Sequence, residues 1–190
     1  MEPSKRRLVR RARGLDLEVG VAKAAVLLAK KFGYDEKKAE LAAILHDCAK
    51  GLEEKAPVKH LKKYKVKADA AALSIPQMIH SLLGPHVAKD IFKIRDKEIL
   101  EAIRWHTTGR AGMSSLEKII YIADFIEESR EYSQAVKARK LLKKKGITLD
   151  MLVHRVVSEK LKYLRQKDFV IHDDSIRLLD EMKGRTKKQK

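Results

Sequence analysis

The sequence predicts an all-α fold, a single helical bundle, from three observations. Apolar residues recur every three or four positions along nearly the whole chain, which is the spacing of one helix face. The alternating apolar and polar runs that mark half-buried strands are absent from the sequence. Only four prolines and nine glycines are spread over 190 residues, so no linker divides the chain. A domain of this length with 44% hydrophobic residues can bury a core.

The first two predicted helices form a pair joined by a short turn. Val21 and Leu28 lie on one face of a helix that ends before Phe32-Gly33. Asp35 then begins a second helix. We expect this helix to end at Gly51, because glycine readily adopts the left-handed conformation that stops a helix.

Six further helices follow from the same periodicity. They span residues Pro76 to Phe92, Lys97 to Trp105, Ser115 to Glu128, Ser133 to Lys145, Leu149 to Leu164 and Asp173 to Met182. Ser114 followed by Glu117 is a capping-box signature and fixes the start of the third of these helices.

The chain is strongly basic, with 43 Lys+Arg against 26 Asp+Glu and a formal net charge of +17. Because basic residues crowd both ends, we predict a basic tail over 1–14, a folded domain over 15–183 and a second basic tail over 184–190. Such a surface favours anionic partners: nucleic acid, phosphate-rich small molecules or an anionic membrane face, and composition alone does not choose among them. Aromatic residues make up only 5% of the chain, and no nucleic-acid-binding motif is present, which argues against nucleic acid.

Cys48 is the one cysteine, which excludes an internal disulfide and a site built from several thiolates. Any metal must therefore be held by nitrogen and oxygen. The apolar stretch from Ala22 to Ala29 is far shorter than the roughly 20 residues of a membrane-spanning helix, and the basic start leads into no signal-like apolar segment. We expect no membrane partner and a cytoplasmic location. The oligomeric state stays open, a homodimer included.

Polar residues stand where the predicted helices should face the core. His46 and Asp47 continue a stripe of alanines one turn earlier, and Asp124 lies four residues beyond Ile120 on an apolar face. A buried carboxylate without a partner costs several kcal/mol, so each aspartate needs a cation, a hydrogen-bond network or a metal. One imidazole and two carboxylates suit a divalent ion: Fe, Mn, Mg or Zn.

Two further histidines lie near predicted helix ends, and the whole set resembles a known family. The order His46-Asp47, His80, His106, Asp124 resembles the HD phosphohydrolase superfamily. LHDCAK at 45–50, AIRWHTTGRAGM at 102–113 and EKIIYIADFIE at 117–127 look more narrowly like the bacterial symmetrical diadenosine tetraphosphate hydrolases. The similarity runs from about Val21 to Leu179.

This resemblance implies an HD phosphohydrolase domain over 15–183 and a metal-dependent enzyme that cleaves diadenosine tetraphosphate symmetrically into two ADP. It implies iron or another divalent ion, with the ligands His46, Asp47 and Asp124. It also implies contacts with substrate, through His80, His106, Gly109, Arg110, Arg130 and His172. The two histidines of that set would touch phosphates or complete a second metal position. Asp47 would orient the attacking water, and Lys50 would neutralise charge on the phosphates.

One position departs from the family pattern. The resemblance implies a first metal-binding histidine where this chain has Leu17. Asp16 and Glu18 flank it, but their side chains point about 100° away on a helix. Two functions therefore stay open: an enzyme with weakened metal binding, or a catalytically degenerate HD-fold module that binds a nucleotide or a partner.

Overall fold

A computed structural model describes residues 19–52 and 57–187, and this part of the chain consists of helices and connecting turns without strands. The helices are α1 (19–32 in the described part), α2 (Glu36–Leu45), α3 (Pro57–Lys63), α4 (Ala70–Ser74), α5 (Pro76–Asp90), α6 (Lys97–Trp105), α7 (Ser115–Ile126), α8 (Ser133–Leu142), α9 (Leu149–Gln166) and α10 (Asp173–Lys187). The predicted all-α bundle is confirmed. The predicted tail over 1–14, Leu17 and its two flanking carboxylates lie outside the described residues.

Helix α7 is the central helix of the bundle. It packs against α2, α6, α8 and α9, and ten of its twelve residues are buried. A helix that is apolar on nearly every face must be enclosed by others, which explains this position. The predicted capping box at its start is confirmed, because the Ser114 hydroxyl accepts a hydrogen bond from the Glu117 backbone N–H and the Glu117 carboxylate accepts one from the Ser114 backbone N–H. Asp124, near the end of α7, is thereby carried into the core.

Helix α2 ends earlier than predicted, at Leu45 rather than Gly51. The Nδ1 atom of His46 lies 2.6 Å from the Ala43 carbonyl oxygen, which would otherwise accept the next helical hydrogen bond. The chain then continues to Leu52 in tight turns with bonds between residues three apart. Gly51 adopts the predicted left-handed conformation, with φ +89°, but it closes these turns and not the helix.

Other boundaries differ in ways that follow from local contacts. Helices α3 and α4 were not predicted, because seven and five residues are too short for a periodic pattern. Helix α10 continues to Lys187, beyond the predicted helix end at Met182. Arg185 forms ion pairs with Asp150 of α9 and Glu181 of α10, which hold this last turn against the bundle. The described chain has no helix both long and apolar enough to span a bilayer.

Helices α5 and α6 approach each other closely at Gly84. A Cβ atom at this position would lie 2.6 Å from Ile103 Cγ2 on α6. His80 lies one turn before Gly84 on the same face of α5, and His106 lies three residues after Ile103. The glycine therefore sets the distance between the two helices that carry these histidines.

Candidate active site

Four helices bring five of the predicted site residues to one place. His46 and Asp47 follow the end of α2, His80 lies on α5, His106 follows α6 and Asp124 lies on α7. The three histidines are 1%, 7% and 3% exposed, and the Asp47 side chain is 8% exposed. The inward orientation predicted for His46 and Asp47 is confirmed.

Asp47 occupies the centre of this group, and its two carboxylate oxygens face different partners. Its Oδ1 lies 3.2 Å from His80 Nε2 and 3.4 Å from His106 Nε2. Its Oδ2 lies 3.5 Å from His46 Nε2 and 2.7 Å from Lys50 Nζ. Burial opposes the ionisation of Asp47, but the surrounding imidazoles outweigh burial and hold the pKa of Asp47 well below its ordinary value.

Two of the histidines have the same kind of backbone partner, the carbonyl oxygen three residues earlier in the chain. His46 Nδ1 lies 2.6 Å from the Ala43 carbonyl oxygen, and His106 Nδ1 lies 2.7 Å from the Ile103 carbonyl oxygen. Because a carbonyl only accepts hydrogen bonds, each Nδ1 must carry a proton. When such a ring is neutral, its Nε2 atom carries the free lone pair, and in both residues Nε2 is on the side of the ring that faces Asp47. Burial lowers the pKa of His106 more than contact with Asp47 raises it, which favours the neutral ring.

Three donor atoms of this group fit a divalent metal ion. His80 Nε2, His106 Nε2 and Asp47 Oδ1 are separated by 3.0, 3.2 and 3.4 Å. Two donors at right angles on one ion lie about 3 Å apart when each bond is about 2.0–2.1 Å long. The lone pair of neutral His106 also faces a carboxylate oxygen, and a shared cation would stabilise this arrangement. His46 Nε2 is buried and forms no hydrogen bond within the described chain.

The predicted ligand Asp124 is farther from this triangle. Its Oδ1 lies 3.9 Å from His46 Nε2 and 3.1 Å from Arg130 Nη2. Burial opposes ionisation of Asp124, but His46 and the nearby cations outweigh it, and the pKa of Asp124 lies below its ordinary value. Arg130 also pairs with Glu127 at 3.1 Å, so this predicted substrate residue is already bound to two carboxylates.

Arg110 and Gly109 lie in the turn after His106, and the structure gives each a local role. Arg110 forms two hydrogen bonds with Glu117, at 2.7 and 3.2 Å, and ties the turn to the capping box of α7. Gly109 has φ +66°, and a Cβ atom there would lie 2.4 Å from Leu178 Cδ2. These contacts shape the loop beside His106, and whether substrate also touches the two residues stays a prediction.

We expect Gly109→Ala to destabilise the fold more than Gly112→Ala. Both glycines have left-handed φ angles, +66° and +71°, which cost an L-residue about 1–2 kcal/mol. Only the Gly109 variant adds a collision with buried Leu178, for a further 1–3 kcal/mol or so. Thermal unfolding of both variants beside the parent measures the difference. Equal losses would contradict this account of Gly109.

His172 lies apart from the histidine cluster. It precedes α10, and its ring nitrogens lie 3.4 Å from Asp69 and 3.3 Å from Asp174. Asp69 caps the start of α4, so His172 links the beginnings of two helices. The predicted contact between His172 and nucleotide stays a prediction.

Lys160 belongs to the site although it was not predicted. Its ammonium lies 4.1 Å from the centre of the Tyr121 ring and donates a hydrogen bond of 3.4 Å to the Thr107 carbonyl oxygen. Tyr121 precedes Asp124 by one turn, and Thr107 follows His106. The available signal was a lysine four residues after Val156 on the apolar face of α9.

Known proteins are similar to this chain over most of its length. Residues 19–129 match the HD domain family. The chain is 34% identical to "Bis(5'-nucleosyl)-tetraphosphatase, symmetrical" of Halalkalibacterium halodurans over 166 residues, covering 86% of each protein. It is 34% identical to the protein of the same name from Bacillus subtilis over 157 residues, covering 83% of this chain and 82% of the relative.

A solved structure agrees with these relatives. The crystal structure of a predicted HD superfamily hydrolase from Clostridium acetobutylicum superposes with a TM-score of 0.82 and is 33% identical in sequence. The match covers 90% of this chain and 88% of the other.

Proposed function

The chain belongs to the HD-domain family and, within it, to the symmetrical bis(5'-nucleosyl)-tetraphosphatases, and we propose that it cleaves diadenosine tetraphosphate into two ADP with a divalent metal. The relatives named for that activity match this chain over more than four-fifths of their own length. We propose iron as the metal and the cytoplasm as the location.

The observation that carries this proposal is the triangle of Asp47, His80 and His106. Two imidazole nitrogens and one carboxylate oxygen lie at separations that suit a single ion. A divalent ion supplies Lewis-acid chemistry, which polarises a phosphoryl oxygen and makes water a stronger nucleophile at neutral pH. We propose this triangle as the principal metal position, in addition to the set His46, Asp47 and Asp124 that the resemblance implies. Asp47 is common to both sets.

Asp47 and Lys50 can supply the remaining chemistry, which is orienting the water and neutralising charge on the phosphates. Asp47 Oδ2 is directed away from His80 and His106, so it can accept a hydrogen bond from the attacking water and orient it. Lys50 lies on that same side, 2.7 Å from Oδ2, and its side chain is 54% exposed. Its ammonium can therefore turn from Asp47 toward a phosphate of the substrate, where it would neutralise developing negative charge.

The backbone contacts of His46 and His106 keep both rings fixed during such a reaction. A carbonyl bound to Nδ1 holds the ring in one orientation and directs Nε2 into the site. The loop at 107–113, held by the pairing of Arg110 with Glu117, forms the neighbouring wall. We propose that the substrate polyphosphate lies between this loop and Lys50, with His80 and His106 at its base.

A second function is favoured by one specific observation. Arg130 already supplies Asp124 with a cation at 3.1 Å, and Leu17 replaces the first histidine of the family pattern. In a degenerate HD-fold module, the Arg130 cation would neutralise Asp124 in place of a metal ion. The protein would then bind a nucleotide or a partner without catalysing hydrolysis.

Metal loading and product analysis separate the two functions. The purified chain is loaded with Fe(II) or Mn(II), its metal content is measured, and it is incubated with diadenosine tetraphosphate. We expect close to one ion per chain and ADP as the sole nucleotide product. Release of ATP with AMP would contradict symmetrical cleavage. Nucleotide binding without metal or turnover would support the degenerate module.

A further inference from the structure

We propose that Lys160 is a phosphate-binding residue, and that its ammonium, beside the Thr107 carbonyl and on the Asp124 side of the site, binds an oxyanion of the substrate polyphosphate. This inference rests on the proposed function, because it assigns a further residue to the same site. Nothing in the family motifs points to this lysine, which lies on α9, outside the motif segments at 45–50, 102–113 and 117–127.

The first argument is the position of the ammonium. Helix α9 packs against α7, and Lys160 reaches across the Tyr121 ring at 4.1 Å to the Thr107 carbonyl oxygen at 3.4 Å. Thr107 also places its hydroxyl 3.1 Å from His106 Nε2. The ammonium therefore lies between the helix that carries Asp124 and the loop that begins at His106.

The second argument is that this charge is not needed by the core. Neighbouring residues of α9 that face inward are apolar and fully buried, among them Val156, Val157 and Leu161. The lysine side chain is partly exposed along its length, whereas its ammonium is enclosed. Burial lowers the pKa of Lys160 to about 8 in spite of the attraction of Asp124, so the folded protein tolerates this ammonium and does not gain from it. Ionisable groups with strongly shifted pKa values are common at functional sites.

The third argument is the lack of a neutralising partner. Of the cations beside Asp47 and Asp124, Lys50 pairs with Asp47, and Arg130 pairs with Asp124 and Glu127. Lys160 forms no ion pair with any carboxylate in the described part of the chain, and one long hydrogen bond uses only one of its three donors. A polyphosphate chain carries several negative charges and supplies the acceptors that the ammonium lacks.

Lys160→Met tests this inference, with Lys160→Arg as the conservative variant and Lys162→Met, at an exposed position of the same helix, as the matched control. Equilibrium binding of inorganic tripolyphosphate and of ADP is measured in excess EDTA, which removes any contribution from metal. We expect Lys160→Met to lower the affinities for tripolyphosphate and for ADP about tenfold or more. Lys160→Arg should keep most of both affinities, and Lys162→Met should match the parent. The Lys160→Met variant should also unfold at a temperature equal to or above that of the parent.

Steady-state kinetics provide the second measurement. In Lys160→Met, the KM for diadenosine tetraphosphate should rise by more than kcat falls. Unchanged tripolyphosphate binding and unchanged KM in Lys160→Met would overturn the assignment. Equal losses of affinity in Lys160→Met and Lys162→Met, or no tripolyphosphate binding by the parent, would also overturn it.

If the parent binds tripolyphosphate through Lys160 but cleaves no diadenosine tetraphosphate, the phosphate site stands and the hydrolase proposal fails. If the parent cleaves it and Lys160→Met is unaltered, only the assignment of Lys160 fails.

Discussion

Asp47→Asn is expected to reduce metal-dependent hydrolysis by more than about 100-fold, because this single carboxylate belongs to both proposed sets of metal ligands. Its two oxygens contact the three histidines of the cluster and Lys50 at distances of 2.7 to 3.5 Å. Loss of an outer-shell partner alone costs a metal site about 10–100-fold, and an amide also lacks the charge that a divalent ion requires. Bound metal should fall together with turnover.

Asparagine has nearly the same shape as aspartate, so the helical fold should persist in this variant. Asp90→Asn is the matched control, because Asp90 ends α5 on the surface with its side chain 54% exposed. Circular dichroism, metal content and ADP release are measured on both variants and the parent. Full metal content with full turnover in Asp47→Asn would remove Asp47 from the centre and, with it, the proposed mechanism.

The sequence predicts the helices and the inward polar residues for the same physical reason. A helix shows which residues share a face, and a charged residue on an apolar face is expensive enough to demand an explanation. His46, Asp47 and Asp124 were found in this way. Lys160 meets the same criterion on α9, but a long lysine side chain can extend to the surface, so its position alone indicates no site.

The partners of the arginines could not be predicted from the sequence. The family resemblance implies that Arg110 and Arg130 contact substrate, whereas their immediate partners in the structure are Glu117 and Asp124. Such pairings depend on the path of the turns between helices, which periodicity does not determine. The short helices α3 and α4 escaped prediction for a related reason, since neither contains enough turns to produce a pattern.

The ends of α2 and α6 show how site chemistry alters local structure. At each end a histidine Nδ1 donates a hydrogen bond to the carbonyl oxygen three residues earlier, that of Ala43 for α2 and that of Ile103 for α6. The α2 helix stops at that point, and the ring is fixed with Nε2 toward Asp47. The prediction that α2 ends at Gly51 rests on the left-handed conformation available to glycine and omits this competing side-chain contact.

Gly84 offers a way to disturb the metal triangle without changing any of its donors. A Cβ atom at this position would lie 2.6 Å from Ile103 Cγ2, so one helix must move. His80 lies on the same face of α5 as Gly84, and the Ile103 carbonyl oxygen holds His106 Nδ1 at 2.7 Å. A shift of α5 or α6 at this contact therefore moves His80 or His106, whose Nε2 atoms are 3.0 Å apart.

We expect Gly84→Ala to lower turnover by about 10–100-fold, since misplacement of a catalytic group by about 1 Å can cost about 100-fold. Overpacking should also destabilise the fold by about 1–3 kcal/mol. Ile103→Leu removes the branched Cγ2 methyl, so the double variant Gly84→Ala with Ile103→Leu should recover both metal binding and turnover, although Ile103→Leu alone gains neither. Thermal unfolding, bound metal and ADP release are measured on the two single variants and the double variant. If Gly84→Ala alone keeps the metal content and rate of the parent, the close approach of α5 and α6 does not set the geometry of the centre.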